Sequence, residues 1–94
     1  MEKEYITLAE YCRARKIEKS FVIRLEQGGL IEIHHMQEEA CLHSSQLSAL
    51  ERFSEWHYEL EIGTPGIEAV HHLVQRVENL QEEIRRLKER LGEE

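Results

Sequence analysis

Apolar and polar positions along the chain predict four helices and one short hairpin. Leu8, Ala9, Tyr11 and Cys12 lie on one side at helical spacing. Thr7, with Glu10 three residues on, fits a capping box, so a first helix is predicted over Leu8 to Arg15, its last turn basic. Ile17, alone between polar stretches, marks the buried point of a tight turn. Phe21, Val22 and Leu25 predict a second helix over Lys19 to Gln27, stopped by Gly28-Gly29. Leu30 to His34 and Ala40 to His43 alternate apolar with polar around a polar 35–39 segment, which predicts a hairpin. Ser44 or Ser45 is placed to cap a third helix. Its inward stripe is Leu47, Leu50, Phe53, His57 and Leu60, with Trp56 and Tyr58 at its flanks and Gly63 at its end.

The last helix has the clearest pattern. Thr64 is its predicted N-cap and Pro65 its first residue. Val70, Leu73, Val77, Leu80, Ile84, Leu87 and Leu91 then alternate steps of three and four. With Val70, Val77, Ile84 and Leu91 at a and Leu73, Leu80 and Leu87 at d, they form a heptad seam about 30 Å long. Ile67 and Val74 widen the stripe where the helix meets its own domain. From Gln81 onward the narrow seam calls for one other helix, so the chain is expected to form a homodimer through these seven residues. Residues 1–62 are expected to form a winged helix-turn-helix domain and residues 63–94 a dimerisation helix. The fold class is mainly α with a small β-hairpin wing and a long C-terminal coiled-coil helix.

A chain of 94 residues is the size of one small domain and buries roughly 65% of its unfolded surface. Twelve Lys plus Arg stand against 19 acids, all Glu, for a net charge of −7. That sign disfavours non-specific nucleic-acid binding, which Lys and Arg drive. No apolar run is long enough to span a membrane. Met1-Glu2-Lys3-Glu4-Tyr5 lacks an apolar core for a signal peptide. Cys12 and Cys41 form no C-x-x-C, so a cytoplasmic chain with two reduced thiols is expected.

Helix, turn, helix, wing, helix and seam helix is the order of a MerR-type winged helix-turn-helix, and Tyr5-Ile6-Thr7-Leu8-Ala9-Glu10, Ile17 and Arg24 to Ile31 resemble the start of such domains. Glu10-Tyr11-Cys12, Leu25 to Ile33, and Pro65-Gly66-Ile67-Glu68-Ala69-Val70 through Leu91 resemble the chaperone-modulator (CbpM) family over most of the chain. The resemblance implies a non-enzymatic adaptor. It would bind the J-domain of a DnaJ-like, CbpA-type co-chaperone and inhibit its co-chaperone action and its DNA binding. No J-domain contact residue carries over.

Charge is compatible with that role. The family picture gives J-domains a basic helix for engaging DnaK, and an acidic module would compete for it. Glu51, Glu55 and Glu59 are spaced i, i+4, i+8 along one face of the third helix, and like charges so placed are relieved by a basic partner. Trp56, the only Trp, is the candidate apolar anchor beside them. The partner-binding set is therefore Glu51, Glu55, Trp56 and Glu59, against the plainer reading of a solvated face and a Trp packed within its own domain.

The alternative function is a DNA-binding transcriptional regulator of MerR type. Against it, the wing from Ile31 to His43 has no Lys or Arg but has Glu32, Glu38 and Glu39, and phosphate contacts need the opposite sign. Metal sensing is a third reading, because His34, His35, Cys41 and His43 cluster around the hairpin. Their spacing matches no zinc pattern, His34 and His35 on a strand point to opposite faces, and His71-His72 is likewise split. His57 is expected to be a satisfied core histidine. With no Asp and no phosphate-binding glycine loop, neither an enzyme nor a cofactor is expected. Pairing of the seam is expected to be antiparallel. The β-branched a positions and Leu d positions alone favour a parallel coil, whereas MerR-like architecture implies the antiparallel one, and a globular part near Val70 would crowd a parallel mate.

Overall fold

The computed structural model describes residues 4–92. Met1 to Lys3, part of the stretch that lacks the apolar core of a signal peptide, and Glu93 and Glu94, at the end of the second expected domain, lie outside the described residues. The elements run β1 (Tyr5–Thr7), α1 (Leu8–Arg15), α2 (Lys19–Gln27), β2 (His34–Met36), β3 (Glu39–His43), a 3₁₀ turn (Ser44–Gln46), α3 (Leu47–Ser54), a π-helical turn (Glu55–Glu59) and α4 (Thr64–Arg90). The chain is mainly helical, with a small antiparallel sheet and a long final helix.

Both helices of the helix-turn-helix lie where the sequence predicts them. The Thr7 hydroxyl accepts the Glu10 N–H at 3.1 Å, which caps α1. Lys16 turns the chain with a left-handed φ of 59°, and Ile17 packs on the core from the turn. At the end of α2 the glycine in the left-handed region is Gly29, with φ 77°, whereas Gly28 has φ −85°. The Gly29 N–H reaches the Glu26 carbonyl and the Leu30 N–H the Leu25 carbonyl, both at 2.9 Å. That is the pattern of a Schellman cap.

The hairpin is displaced from its predicted position. Gln37 and Glu38 both adopt positive φ (52° and 65°), as a two-residue primed turn requires, so the strands end at Met36 and begin at Glu39. Ile31 and Ile33 are buried around exposed Glu32, but this stretch joins no strand ladder. Instead the Gln46 side-chain amide takes both the N–H and the carbonyl of Glu32, each at 2.6 Å, in place of a neighbouring strand. The sheet also contains a strand that the hydrophobic pattern does not predict. β1 pairs with β3, Tyr5 opposite His43 and Thr7 opposite Cys41, giving the order β1-β3-β2.

The third helix is shorter than its predicted stripe. Neither Ser44 nor Ser45 caps it. Both lie in the 3₁₀ turn, whose cap is the His43 ring accepting the Ser45 N–H at 3.0 Å. α3 ends at Ser54, and the wider π turn moves the following residues out of helical register. Leu50 and Phe53 are fully buried, but Leu60 is 61% exposed and leaves the predicted inward stripe. Gly63 ends no helix. It caps α4, with its carbonyl accepting the Ile67 N–H at 2.9 Å, and Thr64 is already helical.

Phe21, Val22, Leu25, Leu42, Leu50, Phe53 and Ile67 form the fully buried centre, with Leu8, Tyr11 and Cys12 of α1 around it. Ile67 fastens the start of α4 to this core, as the widened stripe predicts. Beyond it the seam is uncovered in the single chain. Leu73, Val77, Leu80, Ile84, Leu87 and Leu91 are all exposed, from 48% at Leu87 to 73% at Leu91.

Candidate functional site

Three exposed surfaces can receive a partner: the helix-turn-helix face with its wing, the α3 face, and the α4 seam. On the first, the outward side of α2 presents Lys19, Ser20, Ile23 and Arg24. The wing turn lies next to it. A groove of about 440 Å³ is lined by Thr7, Leu8, Ala9, Lys19, Ile23, Glu38, Glu39 and Ala40. Two wing carboxylates therefore share a groove with the first basic residue of α2. This groove gives a phosphate backbone one cation, Lys19, beside two charges of its own sign.

On the second surface, Glu51, Glu55 and Glu59 are all exposed. They are not equivalent. Glu51 is held by the Arg15 guanidinium at 2.6 Å, an ion pair that ties α3 to the end of α1. Glu55 and Glu59 have no ion-pair partner among the described residues. Trp56 is half-buried. Its ring meets Phe53 at 5.8 Å between centroids, its outer face carries Arg52 at 5.9 Å, and its carbonyl accepts the Ile62 N–H. It is thus partly packed within its own domain and partly available at the surface.

The π turn presents the neighbouring aromatic residues to the core. His57 stacks on Phe21 with centroids 4.4 Å apart and 12° between planes, and its Nδ1 donates to the Ile62 carbonyl at 2.8 Å. This is the satisfied core histidine that the sequence predicts. Tyr58 meets the same Phe21 edge-on, and its hydroxyl accepts the Glu18 N–H at 3.1 Å. These two residues lock the turn before α2 onto the end of α3.

The wing histidines pack rather than converge. His34 and His43 both meet the Tyr5 ring edge-on, at 5.6 and 5.0 Å. Cys41 Sγ lies 3.7 Å from the Glu39 carbonyl. Among the described residues no three His, Cys, Asp or Glu side chains gather around a possible metal position. Cys12 and Cys41 are both free and buried, and burial pushes the Cys12 thiol above its ordinary value although Lys19 acts in the opposite direction. Tyr11 is raised chiefly by burial as well, with Arg15 lowering it and Glu51 raising it.

Residues 6–89 match the family described as MerR HTH family regulatory protein. The chain belongs to the MerR HTH family. The match takes in the helix-turn-helix, the wing, α3 and nearly all of α4, so the MerR likeness covers the whole architecture and not the first two helices alone. The MerR HTH description is of a regulatory protein, in agreement with a non-enzymatic reading. No curated protein matches the chain. Among the described residues no helix is long and apolar enough to cross a membrane. The π turn and the Arg15–Glu51 pair are the features of these surfaces that the sequence pattern does not disclose. The only signal was Glu51 at α3's first turns with a basic end to α1, and it does not specify the pairing.

Proposed function

We propose that this MerR-family chain is a chaperone modulator. It binds the J-domain of a DnaJ/CbpA-type co-chaperone in the cytoplasm and inhibits that partner's co-chaperone and DNA-binding activities. The observation that carries the reading is the sign of the surface that a DNA-binding relative would turn to the duplex. Glu38 and Glu39 of the wing line one groove with Lys19, and the wing adds no Lys or Arg to offset them. DNA affinity rests on phosphate neutralisation, so this surface is poorly suited to a nucleic acid, which favours a protein partner bound elsewhere on the chain.

The docking face is α3 with its π turn. Glu55 and Glu59 supply the uncommitted negative charge, Glu51 adds to it while bound to Arg15, and Trp56 supplies the apolar anchor. Charge of this kind governs encounter rate and orientation, and a half-buried aromatic residue supplies affinity. The protein acts as a homodimer joined along the α4 seam, because that apolar row has no cover in the single chain.

Membership in the MerR HTH family favours one other reading, a DNA-binding transcriptional regulator, with α2 in the major groove. A mobility-shift assay with genomic fragments distinguishes the two. The proposal expects no specific complex at physiological salt. Salt-sensitive binding in the range of about 10⁻⁸ to 10⁻¹¹ M, typical of specific regulators, would reverse the assignment.

A further inference from the structure

We infer that the cleft between the end of α2 and the start of α4 binds a small zwitterion, a free α-amino acid, with Arg24 taking its carboxylate and Glu68 its ammonium group. The cleft shares no residue with the α3 face, and the inference does not depend on the J-domain.

The cleft has a volume of about 220 Å³. At roughly 30 Å³ per water that is room for about seven waters, enough for an amino acid and below the roughly 300–1,000 Å³ of pockets for larger ligands. Its α2 wall carries Arg24 and Gln27, its α4 wall carries Thr64 and Glu68, and Leu30 and Pro65 line the remainder with apolar surface. Among the described residues, none of the four polar side chains has a hydrogen-bond or ion-pair partner, although a cation and an anion border one small space. Gly28 keeps the walls close. A methyl group there would stand 3.4 Å from Glu68 Oε1, so the Glu68 carboxylate lies over the end of α2. No side chain caps α4, and the N–H groups of its first turn add partial positive charge beside Thr64.

The balance of charge selects the ligand class. Arg24 and Glu68 together give the cleft no net charge. A simple anion drawn to Arg24 is repelled by Glu68, and a simple cation drawn to Glu68 is repelled by Arg24. A molecule carrying both charges on neighbouring atoms satisfies the two walls at once. The Arg24 guanidinium offers two parallel N–H donors to a carboxylate, and the Thr64 hydroxyl is placed to donate a third hydrogen bond. The Glu68 carboxylate and the Gln27 amide oxygen accept from the ammonium group. Leu30 and Pro65 leave a short apolar side chain a surface to rest on. Arg24 is exposed and Glu68 half-buried, so the affinity is modest. Because its two charged groups reach different helices, the ligand holds the first turn of α4 onto the end of α2.

Titration of the full chain with L-alanine, followed by the backbone amide resonances in NMR at low salt, tests the site. Saturable shifts are expected at Gln27, Gly28 and Gly66, with a dissociation constant of about 1 mM. Acetate and ethylamine, which each carry one of the two charges, are expected to bind at least about tenfold more weakly, as are Arg24→Gln and Glu68→Gln toward L-alanine, since each comparison removes a charge-assisted contact. Saturating L-alanine should also raise Tm, because it binds the folded chain alone. Circular dichroism checks that both variants keep their helicity; if one does not, the comparison of L-alanine with acetate and ethylamine on the wild type decides. Absence of saturable shifts at about 20 mM L-alanine, well above the expected dissociation constant, would overturn the inference. Acetate binding as tightly as L-alanine would make the cleft a simple anion site and overturn it as well, and so would L-alanine shifts that persist unchanged in both variants.

Discussion

Ile67→Ala should unfasten the long helix from the domain that carries it. Ile67 is fully buried among Phe21, Leu25, Leu50 and Phe53 of the same core, and it is the one fully buried side chain that α4 contributes. Removing three heavy atoms from such a site costs the transfer free energy of those atoms and the energy of the cavity left behind, about 2–5 kcal/mol. In a domain of this size each kcal/mol lowers Tm by roughly 4–8 °C, so a mid-range loss of about 3 kcal/mol corresponds to about 12–24 °C. The assay is thermal unfolding followed by circular dichroism, with wild type and variant at equal chain concentration because a dimer's Tm depends on it. Leu80→Ala is the control. Leu80 is half-exposed in the single chain, so in dilute, monomeric protein its replacement should change stability by less than about 1 kcal/mol. A loss below about 1 kcal/mol for Ile67→Ala would refute the reasoning, because it would mean that α4 is not anchored through this residue.

Gly29→Ala should destabilise the fold by about 1 kcal/mol, since φ is 77° there and no neighbouring atom obstructs a methyl group, so a chemical-denaturation midpoint would read backbone strain alone. Neither thiol should react with a disulfide reagent at neutral pH until the chain unfolds, because both are buried and Cys12 is held in its protonated form; prompt labelling of one thiol in folded protein would contradict the packing of α1 or β3. Cys12 and Tyr11 both titrate higher in the folded than in the unfolded chain, so their contribution to stability is complete below their ordinary values of 9.0 and 10.0 and declines as pH rises through them; denaturation midpoints that stay level from pH 8 to 11 would disagree. Charge reversal at Glu55 and Glu59 should slow J-domain association severalfold and flatten its salt dependence, and Trp56→Ala should weaken the complex by about 2 kcal/mol, both read by stopped-flow or interferometry. Unaltered kinetics after both changes would move the docking face elsewhere.

The α-helical parts of this fold were legible because each has a local cause. Thr7 caps α1, the apolar triad of Phe21, Val22 and Leu25 sets the buried face of α2, and the unbroken seam from Val70 makes α4 visible over its whole length. What the pattern missed depends on contacts between distant residues. β1 is only three residues long and exists because His43, Leu42 and Cys41 lie beside it. The alternation of Ile31 and Ile33 correctly marks buried positions, but the partner of that segment is the side chain of Gln46 and not a strand. The π turn after Ser54 adds a residue to one turn, which is why His57 remains on the core while Leu60 does not. The same limit applies to the candidate surface. Glu51, Glu55 and Glu59 are exposed as their spacing suggests, yet only the folded chain brings Arg15 to Glu51 and leaves the other two uncommitted.

Isothermal titration of the full chain with the isolated J-domain of a CbpA-type co-chaperone tests the proposed function most directly. The account expects saturable binding of one J-domain per chain, weakening as salt is raised from low to physiological concentration, and abolished or strongly reduced by reversing Glu55 and Glu59. No heat of binding at micromolar concentrations, together with specific retention of a duplex DNA fragment by the same preparation, would contradict it and establish the DNA-binding reading in its place.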